Sequence, residues 1–264
     1  MKKGISFYFG YDSDYKERAK RIKEIGFDTV MTNQDERFIY QNGDTIAQME
    51  VFNNNNLNVS SLHNKYKTNE LEHFWKNDEI GEKLEKNLIF DILTANKYNF
   101  KCVVVHMIGE YNKIGEDRLK RILNICENNN VFLAVENIDY KQPLIDIFDN
   151  IDHPYLKFCY DSGHNNCFTP EIDYLEKYGD KLVCLHLHDN NGKQDQHTIN
   201  KFGTINWDNL AKKLAKLDID DISLDYEILM YGGEKAPEDE VLKETYNQAV
   251  ELEKMILKYK SNNN

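Results

Sequence analysis

The 264-residue chain contains no apolar run near the roughly 18 residues that a membrane-spanning helix needs. Its start, Met-Lys-Lys-Gly-Ile-Ser-Phe-Tyr-Phe-Gly, reaches polar Tyr11-Asp12-Ser13-Asp14 too soon to serve as a signal peptide. A cytoplasmic protein with no membrane attachment is expected. Cysteine is sparse: Cys102, Cys126, Cys159, Cys167 and Cys184 make an odd number with no Cys-x-x-Cys. That gives little support to a disulfide framework or a zinc–thiolate site. Cys102, Cys159 and Cys184 fall in apolar runs, where a reduced thiol packs as a small hydrophobe. Neither a G-x-G-x-x-G nor a Walker motif occurs, which argues against a doubly wound nucleotide-binding sheet. Arginine is limited to Arg18, Arg21, Arg37, Arg118 and Arg121, and the net charge is −12. A nucleic-acid partner is disfavoured on that ground.

What is present is a regular alternation. Runs rich in Val, Ile, Phe and Tyr, with strand character, occur at Gly4–Phe9, Phe27–Thr32, Leu57–His63, Lys101–Met107, Val131–Ile138, Leu156–Asp161, Leu182–Asp189 and Ile222–Ile228. Between them lie charged segments with helical spacing: Ala19, Ile22 and Ile25 in Asp14–Ile25; Leu84, Leu88, Ile92 and Ala95 in Glu82–Tyr98; Leu119, Ile122, Leu123 and Cys126 in Asp117–Glu127. Asn206 reads as the cap of a helix running through Leu217. Pro237–Lys260 opens with Pro and then Glu238-Asp239-Glu240, as a helix start should. The second unit is the least regular, because Asn42-Gly43-Asp44 and Asn53–Asn56 interrupt its helix. Eight units of about 33 residues predict an α/β (β/α)8 TIM barrel formed as one domain over residues 1–264, with Ser261–Asn264 a frayed tail.

Active sites on this fold lie at the carboxyl ends of the strands. Metal-type side chains gather there: His63, His106, Glu136, Asp161 with His164, His186 with His188 and Asp189, Asp195 with His197, and Glu227. Of the eight histidines only His73 and His153 fall elsewhere. Each residue alone has a plain reading as a loop or core side chain, but so many ionisable groups at one pole point to metal coordination. Glu136, Asp161, His186 and Glu227 form a three-oxygen, one-nitrogen set suited to Mn²⁺, Mg²⁺, Co²⁺ or Zn²⁺. The set His63, His106, His164, Asp195 and His197 is nitrogen-rich and suits zinc, and Glu136 is placed to bridge two ions.

The ordered series Val-Val-Val-His106, Ala-Val-Glu136-Asn137, Tyr-Asp161-Ser-Gly-His164, His186-Leu-His-Asp189, Asp195-Gln-His197 and Asp-Tyr-Glu227 resembles the xylose-isomerase-like barrels over essentially the whole chain. That superfamily includes sugar (phosphate) isomerases and epimerases and the endonuclease IV type of apurinic endonuclease. In the epimerase branch the resemblance implies one divalent ion on Glu136, Asp161, His186 and Glu227. Proton transfer by Glu136 and Glu227 would pass through a metal-stabilised enediolate of a small carbohydrate, with His164 and His188 holding hydroxyls. In the endonuclease branch it implies three zinc ions, held by His63, His106 and Glu136; by Glu136, Asp161, His186 and Glu227; and by His164, Asp195 and His197. Such a cluster would hydrolyse a phosphodiester in abasic DNA.

The low arginine content and the −12 charge favour the sugar branch, although Lys65, Lys67, Lys193 and Lys201 lie near the pole. The family-like Gly-x-Gly-x-Ile-Asp-Trp stretch stands here as Lys201-Phe-Gly203-Thr-Ile-Asn206-Trp207, lacking its first glycine. Tyr231-Gly232-Gly233 follows the last strand, where such barrels often bind phosphate, but the acidic helix start beyond it would repel an anion. Sugar and sugar phosphate both remain open, and barrels of this type often pair as homo-oligomers.

Overall fold

Each apolar run places one face inside a closed sheet and the other under helices, so β-branched and aromatic residues suit both sides. A computed structural model describes residues 1–33, 39–65, 68–200, 203–230 and 236–262. Its strands are β1 (Lys3–Ser6), β2 (Thr29–Asn33), β3 (Asn58–His63), β4 (Cys102–Val105), β5 (Phe132–Glu136), β6 (Leu156–Asp161), β7 (Leu182–His186) and β8 (Leu224–Tyr226). All pair in parallel, in the order β7-β6-β5-β4-β3-β2-β1-β8. Closure comes from the bridge Leu187↔Tyr226, where Leu187 N donates to Asp225 O at 2.8 Å and Glu227 N donates to Leu187 O at 2.9 Å. The fold is the TIM barrel expected from the alternation. Most strands are shorter than the apolar runs, because the residues beyond the ladder enter loops.

The helices begin where short polar side chains can take up free amides. Asp14 accepts from Lys16 N and Glu17 N ahead of Tyr15–Ile25. Asp78 accepts from Gly81 N, so the helix expected from Glu82 starts at Glu79 and runs to Tyr98. The segment expected at Asp117–Glu127 spans Lys113–Asn129, capped by Asn112. Asn206 accepts from Asn209 N and opens Trp207–Leu214 despite the missing glycine upstream. Apolar faces such as Leu88, Ile92, Leu119 and Ile122 are buried against the sheet.

The irregular second unit is real. Ile39–Asn42 is followed by Gly43 at φ 75°, and Asp44 then caps Thr45–Asn54. The last helix runs Glu238–Asn262, and Ser261 Oγ donates to Lys258 O at 2.8 Å; of the expected tail, Asn263 and Asn264 lie outside the described residues. Among the described residues no helix is long and apolar enough to cross a membrane.

Candidate metal centre

Strand endings position the site. His63, Glu136, Asp161 and His186 are the last residues of β3, β5, β6 and β7, while His106 and Glu227 follow β4 and β8 by one residue. Asp161 and His186 are register partners, so their side chains leave neighbouring strands at one height. The short helix Ser162–Phe168 brings His164, with Asp161 as its cap, and the loop after β7 brings Asp195 and His197.

Glu136, 1% exposed, is the hub. Its Oε2 lies 3.2 Å from His63 Nε2, 3.2 Å from His106 Nε2 and 3.3 Å from His186 Nδ1, and its Oε1 lies 3.2 Å from His164 Nδ1. Glu227 Oε2 approaches the same His186 Nδ1 at 3.2 Å. Asp195 Oδ2 lies 3.3 Å from His164 Nε2 and 3.1 Å from His197 Nε2. The structure therefore brings together all nine residues of the two expected ligand sets, whereas Asp189, also among the metal-type residues, turns to loop amides. Ligand atoms of Glu136, Asp161, His186 and Glu227 lie within 4.8 Å of one another, as do those of His63, Glu136 and His186, and those of His164, His188, Asp195 and His197. His73 and His153 stand apart, beside Asp78 and Glu127.

The electrostatics are those of carboxylates crowded with imidazoles. Burial would lower the pKa of His186, but Glu136 and Glu227 outweigh it and raise that pKa well above the usual imidazole value. Burial also opposes protonation of His197, yet Asp195 and Glu227 push its pKa up to about 9. Against its own burial, Glu227 is held down to about 2 by His186 and His197, and Glu136 is held well below the carboxylate range by His186 and His106. His106 goes the other way, lowered by burial. Buried Glu136 Oε1 and His186 Nδ1 meet their neighbours only at ion-pair distance without well-aligned hydrogen bonds, and buried Nδ1 of His188 has no hydrogen-bond partner among the described residues. Unpaired buried polar atoms are costly, and a cation among them would supply what is missing. The donor set fits divalent metal ions, whose binding would displace protons from the imidazoles.

A cleft of about 360 Å³ reaches the cluster, lined by His63, His106, Glu136, His164, Asp195 and Glu227 beside the apolar side chains of Ile108, Ile138, Phe168 and Leu229. His164 is at its surface. His188, expected to meet substrate, is fully buried outside this lining and turns Nε2 to Asp161 Oδ1 at 3.0 Å.

Two residues that the sequence reading placed within its motifs, Asn137 and Asp189, act as supports, a role it did not foresee. Asn137 Nδ2 donates to Asp161 O at 2.8 Å, and its Oδ1 accepts from Asp161 N at 2.8 Å, holding the backbone of that residue from both sides. Asp189 accepts from Asn190 N, Thr204 N, Ile205 N and Trp207 Nε1, at 2.7–3.1 Å, pinning the loop that carries Asp195 and His197. Gly203 belongs to that pin, since a Cβ there would come within 1.8 Å of the Asp189 carboxylate. The available signal was the pairing of Asp189 with the Gly203-Thr-Ile-Asn-Trp207 stretch.

The described arginines are committed elsewhere. Arg18 donates to Tyr11 O, Ser13 O and Gln41 O, Arg118 to Phe74 O and Lys76 O, Arg21 pairs with Glu238, and Arg121 pairs with Glu85. Lys193 is exposed, and Lys65 is half-buried. Arg37, Lys67, Lys201 and the Tyr231-Gly232-Gly233 turn lie outside the described residues.

Known proteins place this geometry in a lineage. Protein y4fM of Sinorhizobium fredii, an uncharacterized protein, is 33% identical over 97 residues, covering 34% of this chain and 31% of its own. Uncharacterized protein MJ1614 of Methanocaldococcus jannaschii is 29% identical over 151 residues, covering 52% of this chain and 59% of its own. The chain thus spans about a third and about three-fifths of the lengths of these curated relatives. The crystal structure of a D-tagatose 3-epimerase-like protein superposes with a TM-score of 0.76 at 19% identity, covering 98% of this chain and 99% of that one, a likeness of fold. The model of the xylose isomerase-like TIM barrel family matches residues 19–247, and the chain belongs to that family.

Proposed function

We propose that the protein is a divalent-metal-dependent isomerase or epimerase of a small carbohydrate. The observation that carries this reading is the pair of carboxylates, Glu136 and Glu227, that approach His186 Nδ1 from two strands at 3.3 and 3.2 Å beside a cleft of small-molecule size. The fold likeness to a D-tagatose 3-epimerase-like protein agrees with it.

Glu136, Asp161, His186 and Glu227 would hold the ion, and this oxygen-rich set suits Mn²⁺, Co²⁺, Mg²⁺ or Zn²⁺. A divalent cation there supplies Lewis acidity to a sugar carbonyl and its neighbouring hydroxyl. Both glutamates are held ionised, the state in which a carboxylate can take a proton from carbon. One removes that proton from one face, and the other, once protonated, delivers a proton to the opposite face. His164 Nδ1 is paired with Asn137 O at 3.0 Å, which orients the ring at the cleft wall to meet a substrate hydroxyl. His188 serves by holding Asp161. Ile108, Ile138, Phe168 and Leu229 limit water around the reacting carbon.

Glu136→Gln and Glu227→Gln should each reduce exchange of substrate carbon-bound hydrogen with deuterated solvent by at least about a hundredfold, the lower end for lost acid–base catalysis. Exchange unchanged in both variants rejects the assignment.

One observation favours a second reading, a three-zinc phosphodiesterase acting on abasic DNA: all nine ligand-type residues of that chemistry converge here. Against it, the described arginines bind the protein's own backbone and acids, and none lines the cleft. Elemental analysis separates the two, one ion per chain supporting the epimerase and three zinc ions the phosphodiesterase.

A further inference from the structure

Below the ligand layer the barrel interior carries sulfur. Side chains alternate along a strand, so Cys159 shares a face with Asp161 on β6, Cys184 shares one with His186 on β7, and Cys102 lies on the same face of β4 as Val104. Cys159 and Cys184 are register partners on adjacent strands. All three thiols are buried with Val104 and Ala134, and the Cys184 thiol lies against both Cys102 and Cys159. The sulfurs of Cys159 and Cys184 and a ring nitrogen of His186 lie within 4.8 Å of one another. His186 turns Nδ1 to the two glutamates, and the Cys184 thiol lies against its ring.

Access is from the far end. A cavity of about 220 Å³, lined by residues that begin the strands (Thr29, Asn58, Lys101 and Ser223 among them), reaches Cys184 and Asp225 from the mouth opposite the carboxylate cluster.

We propose that Cys159, Cys184 and His186 form a second metal site, selective for thiophilic divalent ions such as Cd²⁺ or Zn²⁺ over Mg²⁺ and Mn²⁺. Thiolate and imidazole donors select in that direction. Each thiol gives its proton to solvent as its metal–sulfur bond forms. Two thiolates cancel the charge of a divalent ion, so the apolar layer takes on no net charge. A neutral imidazole has a single acceptor nitrogen. An ion on His186 Nε2 therefore deprives the Glu136, Asp161, His186 and Glu227 set of its only nitrogen, and soft and hard ions exclude one another. This exclusion rests on the role proposed above for His186, whereas the sulfur site itself does not.

Titration of the reduced, chelator-stripped full chain with CdCl₂, followed by ultraviolet absorption, tests the site. A saturable sulfur-to-cadmium charge-transfer band is expected. It should disappear in Cys159→Ala and Cys184→Ala and persist in Cys167→Ser, which removes the half-buried thiol outside the barrel. The band should also persist in Glu227→Gln, whose substitution affects only the oxygen-rich set. No band in the folded wild-type chain overturns the proposal without recourse to variants, as does a band surviving both alanine substitutions or lost in Cys167→Ser. Cd²⁺ should also release bound Mn²⁺, restoring the free-ion electron paramagnetic resonance signal. Retention of Mn²⁺ beside the cadmium band overturns the shared use of His186 and leaves the sulfur site standing.

Discussion

Asp91 illustrates how one side chain can oppose the stability of the fold it belongs to. It accepts from Asn64 Nδ2 at 2.6 Å, and Asn64 O in turn faces His63 Nδ1 at 2.7 Å, so a helix carboxylate braces the strand end that carries a ligand. Burial pushes the Asp91 carboxyl up to about 6, more than Asn64, Lys65 and His63 pull it down. A folded pKa above the unfolded value means that the contribution of Asp91 to stability is fullest below pH 4 and falls as pH rises from about 4 to about 6. At neutral pH the buried charge costs on the order of 2–3 kcal/mol. Asp91→Asn keeps an acceptor for Asn64 and should raise the melting temperature at pH 7 by several degrees, with the gain shrinking toward pH 4. An equal gain at both pH values would show that ionisation is not the cause. Neither this pairing nor the double clamp of Asn137 on Asp161 was legible in the sequence, since each joins residues 24 to 27 positions apart through tertiary packing. The gathering of ligand-type residues was legible, because strand ends and such residues coincide along the chain.

At the scale of elements, the loop after β7 depends on Asp189. Its buried carboxylate accepts three backbone amides and an indole N–H, satisfying donors that would otherwise be stranded. Asp189→Ala should lower unfolding stability by on the order of 2–4 kcal/mol, measured by urea denaturation. A loss below about 0.5 kcal/mol would mean that the loop holds its shape without the pin. Local punctuation marked some element starts: Asn206, read as a cap, accepts a helix amide, the segment read from Asp14 is capped by that residue, and Gly43 takes the positive φ that breaks the second unit, whereas Asp44 proves to cap a helix there as well. It predicted element lengths less well. Asp78 and Asn112 extend their helices upstream of the apolar periodicity, and the last helix continues through Asn262 although its final residues are polar. The 3.6-residue pattern marks the buried stripe, not the exposed turns that extend beyond it.

Across the whole molecule, the weak place is the seam between β7 and β8, joined by the bridge at Leu187 and Tyr226. His186 and Glu227 stand on its two sides, 3.2 Å apart, so an ion held by both would fasten the barrel shut. Saturating Mn²⁺, at about a hundred times its dissociation constant, should add about 2.7 kcal/mol, or roughly 5–10 °C in melting temperature over the chelator-treated chain. Hydrogen exchange should slow most at the Leu187 and Glu227 amides. No shift in melting temperature, or uniform protection across all strands, would contradict this. Eight-unit cadence revealed the barrel before any contact was known, but the place of closure depends on register, which cadence does not carry.

The distribution of ligands along the chain has an evolutionary consequence. Glu136, Asp161, His186 and Glu227 all come from the last four strands, whereas His63 and His106 come from β3 and β4. His164, Asp195 and His197 also come from the second half, so drift in the first half-barrel changes only the corner of the cluster that His63 and His106 supply. Divergence at those two strand ends would then alter one corner of the cluster and leave the side chains of the second half in place.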